Sequence, residues 1–205
     1  MEKLPVEMWL GELAKEQRNT LQQELLSSQQ LPTVPAKLKL SSQIVCLSDR
    51  IIFTRRIEEV LNDRKYTFLA VKQELVESIT KLATSPATFS KLEQRKDQAL
   101  IIQKIHHRDV VGLLIQSNTR NTSDWEWQTK LRFYSKKNVC EISICDALFE
   151  YSFEYQGNEE SLVYTTLTDK CYLNLTQAMR FGFGGNPFGP AGTGNMIAFL
   201  PVFYI

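Results

Sequence analysis

From residue 4 to about residue 116 apolar residues recur three and four positions apart, and past residue 123 that spacing gives way to dense aromatics and to alternation. A spacing of three and four keeps one face of a helix apolar, whereas alternation lines one face of a strand. A chain that does first one and then the other is an α+β protein with a mainly helical first part. The first helix is expected near residues 6–27, using Trp9, Leu10, Leu13, Leu21 and Leu25. Pro32 and Pro35 hold the following connector extended. Ser41 or Ser42 can cap a second helix carrying Ile44, Leu47, Ile51, Phe53, Ile57, Val60 and Leu61. A third is expected over residues 66–83 with Leu69, Leu75, Val76, Ile79 and Leu82, and a fourth over 88–116 with Phe89, Leu92, Leu100, Ile101, Ile105, Val111 and Leu114. Charged residues fill the other faces. This pattern is a helical bundle without a repeat of fixed period.

After the polar residues 117–123, Trp125, Trp127, Leu131, Phe133 and Tyr134 form an aromatic cluster. Two strands are expected at 139–145 and 148–155, the latter alternating as Phe149, Tyr151, Phe153 and Tyr155. Residues 156–160 read as a turn and 162–164 as a short strand. Thr168 and Asp169 then open a helix to about residue 179, with a capping hydroxyl and an acid in the first turn. Last comes Gly189-Pro190-Ala191-Gly192-Thr193-Gly194. Loops of the form G-x-x-x-x-G-K-[ST] cradle phosphates on backbone N–H groups, with the lysine on the β/γ-phosphates and the hydroxyl on Mg²⁺. Here Asn195 and Met196 follow. An amide carries no charge, and a thioether is a poor ligand for a hard cation. A strand, a helix and such a loop suit the start of an α/β nucleotide-binding domain.

Other function classes are disfavoured. A net charge of +1 gives no basic field for a nucleic acid. No apolar run approaches the roughly 20 residues that cross a bilayer, and the first residues lack the plan of a signal peptide. Cys46, Cys140, Cys145 and Cys171 show no zinc spacing and read as free thiols of a reducing compartment. No metal site is expected. His106 and His107 are adjacent on a helix, point in different directions and read as polar helix surface. Cys140 and Cys145 are expected on opposite sides of a strand, and the aromatic alternation reads as a half-buried hairpin.

Several runs are similar to one family. Asp124-Trp125-Glu126-Trp127-Gln128-Thr129-Lys130-Leu131-Arg132-Phe133-Tyr134 resembles the W-x-x-Q-x-R-[FY]-Y region where a dynein heavy chain passes from its linker into its first AAA+ module. Phe153-Glu154-Tyr155-Gln156-Gly157-Asn158 resembles the hairpin that opens that module. The run from Leu162 to Leu173 resembles L-V-x-T-P-L-T-D-[RK]-C-Y-L, and that from Gly184 to Gly194 the approach to its Walker A loop. The wording around Glu154 to Asn158 and Asp169 to Tyr172 is most similar to the cytoplasmic dynein 2, or intraflagellar-transport, branch. The upstream helices resemble the C-terminal part of the linker.

The resemblance implies a microtubule motor in which ATP hydrolysis swings the linker toward a minus-end-directed stroke, here for retrograde transport in cilia. ATP and Mg²⁺ are the family's cofactors. It implies phosphates on a degenerate Walker A loop formed by Gly189, Pro190, Ala191, Gly192, Thr193, Gly194, Asn195 and Met196. Adenine would lie against Leu162, Val163, Leu167 and Thr168. Residues 1–122 would be linker, 123–194 the junction with hairpin, helix and P-loop, and 195–205 an apolar tail foreign to the family. Implied partners are the rest of the heavy-chain ring, the intermediate, light-intermediate and light chains, and the microtubule. The implied setting is cytoplasm, cytoskeleton and cilium. Two departures stand out: Thr166 replaces a family proline, and Asn195-Met196 replaces Lys-Thr, after which the wording is unlike the family's. An alternative exon, intron read-through or a truncated gene model would each produce this. Without the lysine, phosphoryl transfer loses a charge it depends on, so this chain alone is expected to hold no catalytic residue and not to hydrolyse ATP. A non-catalytic protein that binds dynein subunits or regulates the full chain is the alternative. An ATPase that borrows a cation from elsewhere ranks last.

Overall fold

The computed structural model describes residues 5–30, 39–63, 67–84, 90–136, 139–157 and 165–185. Four long helices come first: α1 (Val6–Gln30), α2 (Ser42–Asp63), α3 (Phe68–Ala83) and α4 (Lys91–Gln116). A single helical turn, α5 (Trp125–Gln128), leads into an antiparallel sheet of β1 (Arg132–Lys136), β2 (Val139–Ile144) and β3 (Ala147–Glu150), in that order. Helix α6 (Thr166–Arg180) closes the described part. The α+β reading of the sequence therefore holds. The connector with Pro32 and Pro35, residues 85–89 with Phe89, the short strand at 162–164, the glycine loop and the apolar tail lie outside the described residues.

Local chemistry sets several boundaries. Thr67 caps α3 through Ala70 N–H at 3.2 Å, and Ser90 and Glu93 close a reciprocal capping box that starts α4. Helix α4 ends on Asn118 at φ +53°, with Thr119 N–H on Leu114 O and Asn118 N–H on Ile115 O, both at 3.1 Å. That paired closure needs a left-handed residue, and asparagine is among the few that take it without glycine. At the start of α2, Ser41 acts differently from the expected cap. Its hydroxyl donates to Glu24 Oε2 at 2.5 Å and so ties the helix to α1.

Helix α2 contributes to every part of the core. Ile44 and Leu47 meet Leu21 and Leu25 of α1 and Phe133, Cys140 and Ile142 of the sheet. Ile57, Val60 and Leu61 pack with Val71 of α3, Val110, Val111 and Leu114 of α4 and the fully buried Trp127. Val45 joins Leu82 and Leu100. The core thus runs across residue 122, where the composition changes. A helix packed on several sides must bury polar residues too, and these find partners. Thr54, 1% exposed, donates to Arg50 O at 3.0 Å and accepts the N–H of Phe133 at 3.0 Å, which covers the outer edge of β1.

Some apolar positions are not core. Trp9, Leu10 and Leu13 are 41–55% exposed, and only Leu21, Leu25 and Ser28 of α1 are buried. Leu69, Val76 and Leu92 are likewise exposed. The aromatic cluster divides, with Trp127 buried and Trp125 at 65% exposure, because the two lie two residues apart on one helical turn. Strand β1 was hidden inside that cluster. The second strand ends early: its ladder stops at Glu150, although Tyr151 and Phe153 remain buried.

Thr54→Val preserves shape and removes both hydrogen bonds. It should lower unfolding free energy by about 1–3 kcal/mol in urea titrations, because the buried Phe133 N–H is left without an acceptor.

Candidate functional site

Helix α6 is the element that leads toward the glycine loop, and its chemistry is local. Thr165, not Thr168, is its N-cap. The Thr165 hydroxyl accepts from Thr168 N–H at 3.3 Å, and Thr165 N–H donates to Thr168 Oγ1 at 2.7 Å. Thr168, Tyr172 and Thr176 are buried at a spacing of four and form the inward face. The helix ends at Gly182, φ +73°, with Phe183 N–H on Ala178 O at 2.9 Å and Gly182 N–H on Met179 O at 3.0 Å. Glycine suits this left-handed position because it has no Cβ.

Ion pairs secure both ends of α6. Lys130 pairs with Asp169 at the first turn, and Arg180 pairs with Asp146 of the β2–β3 turn. Gln177 adds a bond to Ile144 O at 3.4 Å. The Lys130–Asp169 pair is the more protected, at 17% and 21% side-chain exposure, against 37% and 62% for the other. Screening by water leaves the outer pair little net worth.

Beside the Lys130–Asp169 pair a cleft opens, with Arg50 and Phe53 of α2 and His106 and His107 of α4 along its wall. His107 is not helix surface as the sequence reading had it. It is 4% exposed and stacks on Phe53 with ring centroids 3.9 Å apart and planes 3° from parallel. Asp49 lies behind it. Lys104 Nζ donates to Asp49 Oδ1 at 2.7 Å, and Gln103 Nε2 donates to Oδ2 at 2.9 Å. Burial opposes the charge on Asp49, but His107, Lys104 and the two hydrogen bonds outweigh it and hold the pKa below the ordinary value. For the histidine, burial prevails: His107 is pushed down to about 3 and His106 to about 4. At neutral pH Asp49 is therefore ionised with Lys104 as its charged partner, and His107 is neutral beside them. The histidine's charge acts on Asp49 only at the low pH where both titrate.

The sequence-derived nucleotide residues fall as follows. Leu167 and Thr168 both occupy the first turn of α6, on different faces. Leu167 is 66% exposed, whereas the Thr168 hydroxyl is committed to the cap. Leu162, Val163 and residues 189–196 lie outside the described residues. Cys140 is buried in the core and Cys145 sits in the β2–β3 turn at φ +49°. Among the described residues no group of three metal-ligating side chains is found, and no helix is long and apolar enough to cross a membrane. The partner of Asp169 and the Asp49 network were not legible: their members lie 39 and 55 positions apart in the chain.

Residues 151–197 match the family model described as the hydrolytic ATP binding site of dynein motor region. Cytoplasmic dynein 2 heavy chain 1 of Homo sapiens is 44% identical over 201 residues, which cover 92% of this chain and 5% of the relative. The Caenorhabditis elegans protein of the same name is 42% identical over 92% of this chain and 4% of its own length. A flagellar outer-arm dynein beta chain of Chlamydomonas reinhardtii is 35% identical over 93% of this chain and 4% of its own. The chain belongs to the dynein heavy chain family. It spans about one twentieth of the length of the human dynein relative. The likeness to dynein 2 heavy chains is not confined to the ATP-site match, since it extends across the helices upstream of it.

The two depressed histidines give this dynein segment a pH signature. In the unfolded chain they take up protons as pH falls through about 6.5, and in the folded chain only near 4 and 3. The unfolded state binds more protons in between, so stability is flat above that window and falls as pH drops through it. Asp49, its pKa lowered, holds its contribution until still lower pH. Melting temperature should decline steadily between pH 6.5 and 4.5, and His107→Gln should make that decline shallower; an unchanged slope would show that His107 already titrates normally when folded.

Proposed function

We propose that this chain is the part of a dynein heavy chain that joins the linker to the first AAA+ module, in a motor that drives retrograde intraflagellar transport along microtubules. The observation that carries the reading is continuity: similarity to dynein 2 heavy chains covers 92% of the chain, through the helices as well as the ATP-site match. Residues 1–122 are then linker, 123–194 the junction and 195–205 the departing tail. Its role in the parent is mechanical. Phosphate held by the loop at 189–194 would be felt at α6, which ion pairs fasten to Lys130 of the preceding turn and Asp146 of the sheet. Those elements rest on α2 through Thr54. The partners are the remaining ring of the heavy chain, the intermediate, light-intermediate and light chains, and the microtubule through the whole motor. The setting is the cytoskeleton of the cilium and cytoplasm.

ATP with Mg²⁺ is the ligand of the parent site. Backbone amides of Gly189 to Gly194 would form the anion nest, with adenine beside Leu162, Val163, Leu167 and Thr168. Asn195 and Met196 supply neither the positive charge nor the hard oxygen ligand that the family places there. The chain alone is non-catalytic.

Phosphate release from ATP should stay at background for the chain and for the double variant Asn195→Lys, Met196→Thr. A fluorescent ATP analogue should bind the double variant about tenfold more tightly, the worth of one charged phosphate contact at ~1.4 kcal/mol. Turnover above background in either form would refute the non-catalytic reading. Equal affinity in both would refute the loop as the phosphate site.

A further inference from the structure

The ATP-site match begins at Tyr151, where the sheet ends. Tyr151 N–H makes one more cross-strand bond, to Cys140 O at 2.8 Å. Residues 151–156 then run on outside any assigned strand. Tyr151 and Phe153 put their rings into the core, 4.9 Å apart and edge to face. Phe153 does so at φ +53°, a left-handed backbone that bulky residues rarely adopt and that surrounding contacts have to enforce.

What grips the backbone past that point is a side chain of α2. Gln43 is the second residue of the helix and is 8% exposed. Its Nε2 donates to Tyr151 OH at 2.8 Å and to Glu154 O at 2.8 Å, and its Oε1 accepts from Gln156 N–H at 3.1 Å. The carbonyl before Tyr155 and the N–H after it are the pair that one residue of a neighbouring parallel strand engages with its own N–H and C=O. A primary amide presents that same donor and acceptor. The Gln43 side chain thus stands in for a strand residue, just before Gly157 turns the chain at φ +69°.

We propose that Gln43 is a positioning residue for the nucleotide-binding segment. It touches no nucleotide. It sets the direction in which the chain leaves the sheet, so that the segment leading to α6 starts from a point fixed on α2. This inference rests on residues 151–197 forming a nucleotide site, and it adds the residue that anchors the start of that site to the helical part.

The test is amide hydrogen exchange on the 205-residue chain, with titration by a fluorescent ATP analogue, for wild type, Gln43→Met and Gln43→Glu. Methionine keeps length and volume and loses all three bonds; glutamate keeps the acceptor for Gln156 and loses the donors. Gln156 exchange should rise at least about tenfold in Gln43→Met and far less in Gln43→Glu, with the amides of α4 unchanged. Unchanged exchange at Gln156, or equal acceleration throughout the chain in both variants, overturns the proposal. Analogue affinity should fall about tenfold in Gln43→Met. Unchanged affinity alongside accelerated exchange also overturns the positioning role. Failure of the wild-type chain to bind the analogue refutes the nucleotide reading instead, and the exchange pattern alone then decides whether Gln43 holds the segment.

Discussion

Helix α2 keeps only a narrow wet face, along Ile52, Arg55, Glu59 and Asn62, because neighbours cover the rest of it from α1, α3, α4 and the sheet. Its sequence therefore buries Gln43, Ser48 and Thr54 among the aliphatic residues. Burying such groups is unfavourable unless they are bonded, so each has to meet a partner. Thr54 meets β1 and Gln43 meets the chain beyond β3. The requirement that a crowded helix satisfy its polar atoms is what joins the helical part to the β part. Hydrophobic contact supplies most of the stabilisation, but it is non-directional; these bonds fix the register.

The same polar demand shapes the region around α6. Asp49 is ionised in a confined place because Lys104 and Gln103 reach it, and His107 remains neutral against Phe53 because burial disfavours its charge. Across the cleft, Lys130 reaches Asp169. The Lys104–Asp49 and Lys130–Asp169 charges are paired and largely shielded from water, an arrangement that holds elements in place.

Much of the architecture was legible in the residues. The helices announce themselves by spacing, and the wording from Asp124 onward identifies the family. What stayed hidden depends on distance along the chain. The exposure of Trp9, Leu10 and Leu13 could not be seen, since spacing tells which residues share a face and not whether anything covers it. His106 and His107 were read as surface because two neighbouring polar residues on a helix normally are; here α4 has partners on more than one side. Strand β1 escaped because Phe133 and Tyr134 read equally well as aromatic packing. Gln43 carried no signal at all. An amide at the start of a helix is ordinary, and its three partners lie more than 100 positions away.

The way Tyr151 and Phe153 sit in the core bears on how such proteins can be recombined. Sequence similarity marks an ATP-site unit that starts at residue 151, but that mark falls inside a cluster shared with Leu21, Ile44 and Ile142. A chimera spliced there would separate the two rings from the surfaces they fill. Exchange of this unit between heavy chains has to carry α1, α2 and the sheet along with it, so the exchangeable module is larger than the matched segment.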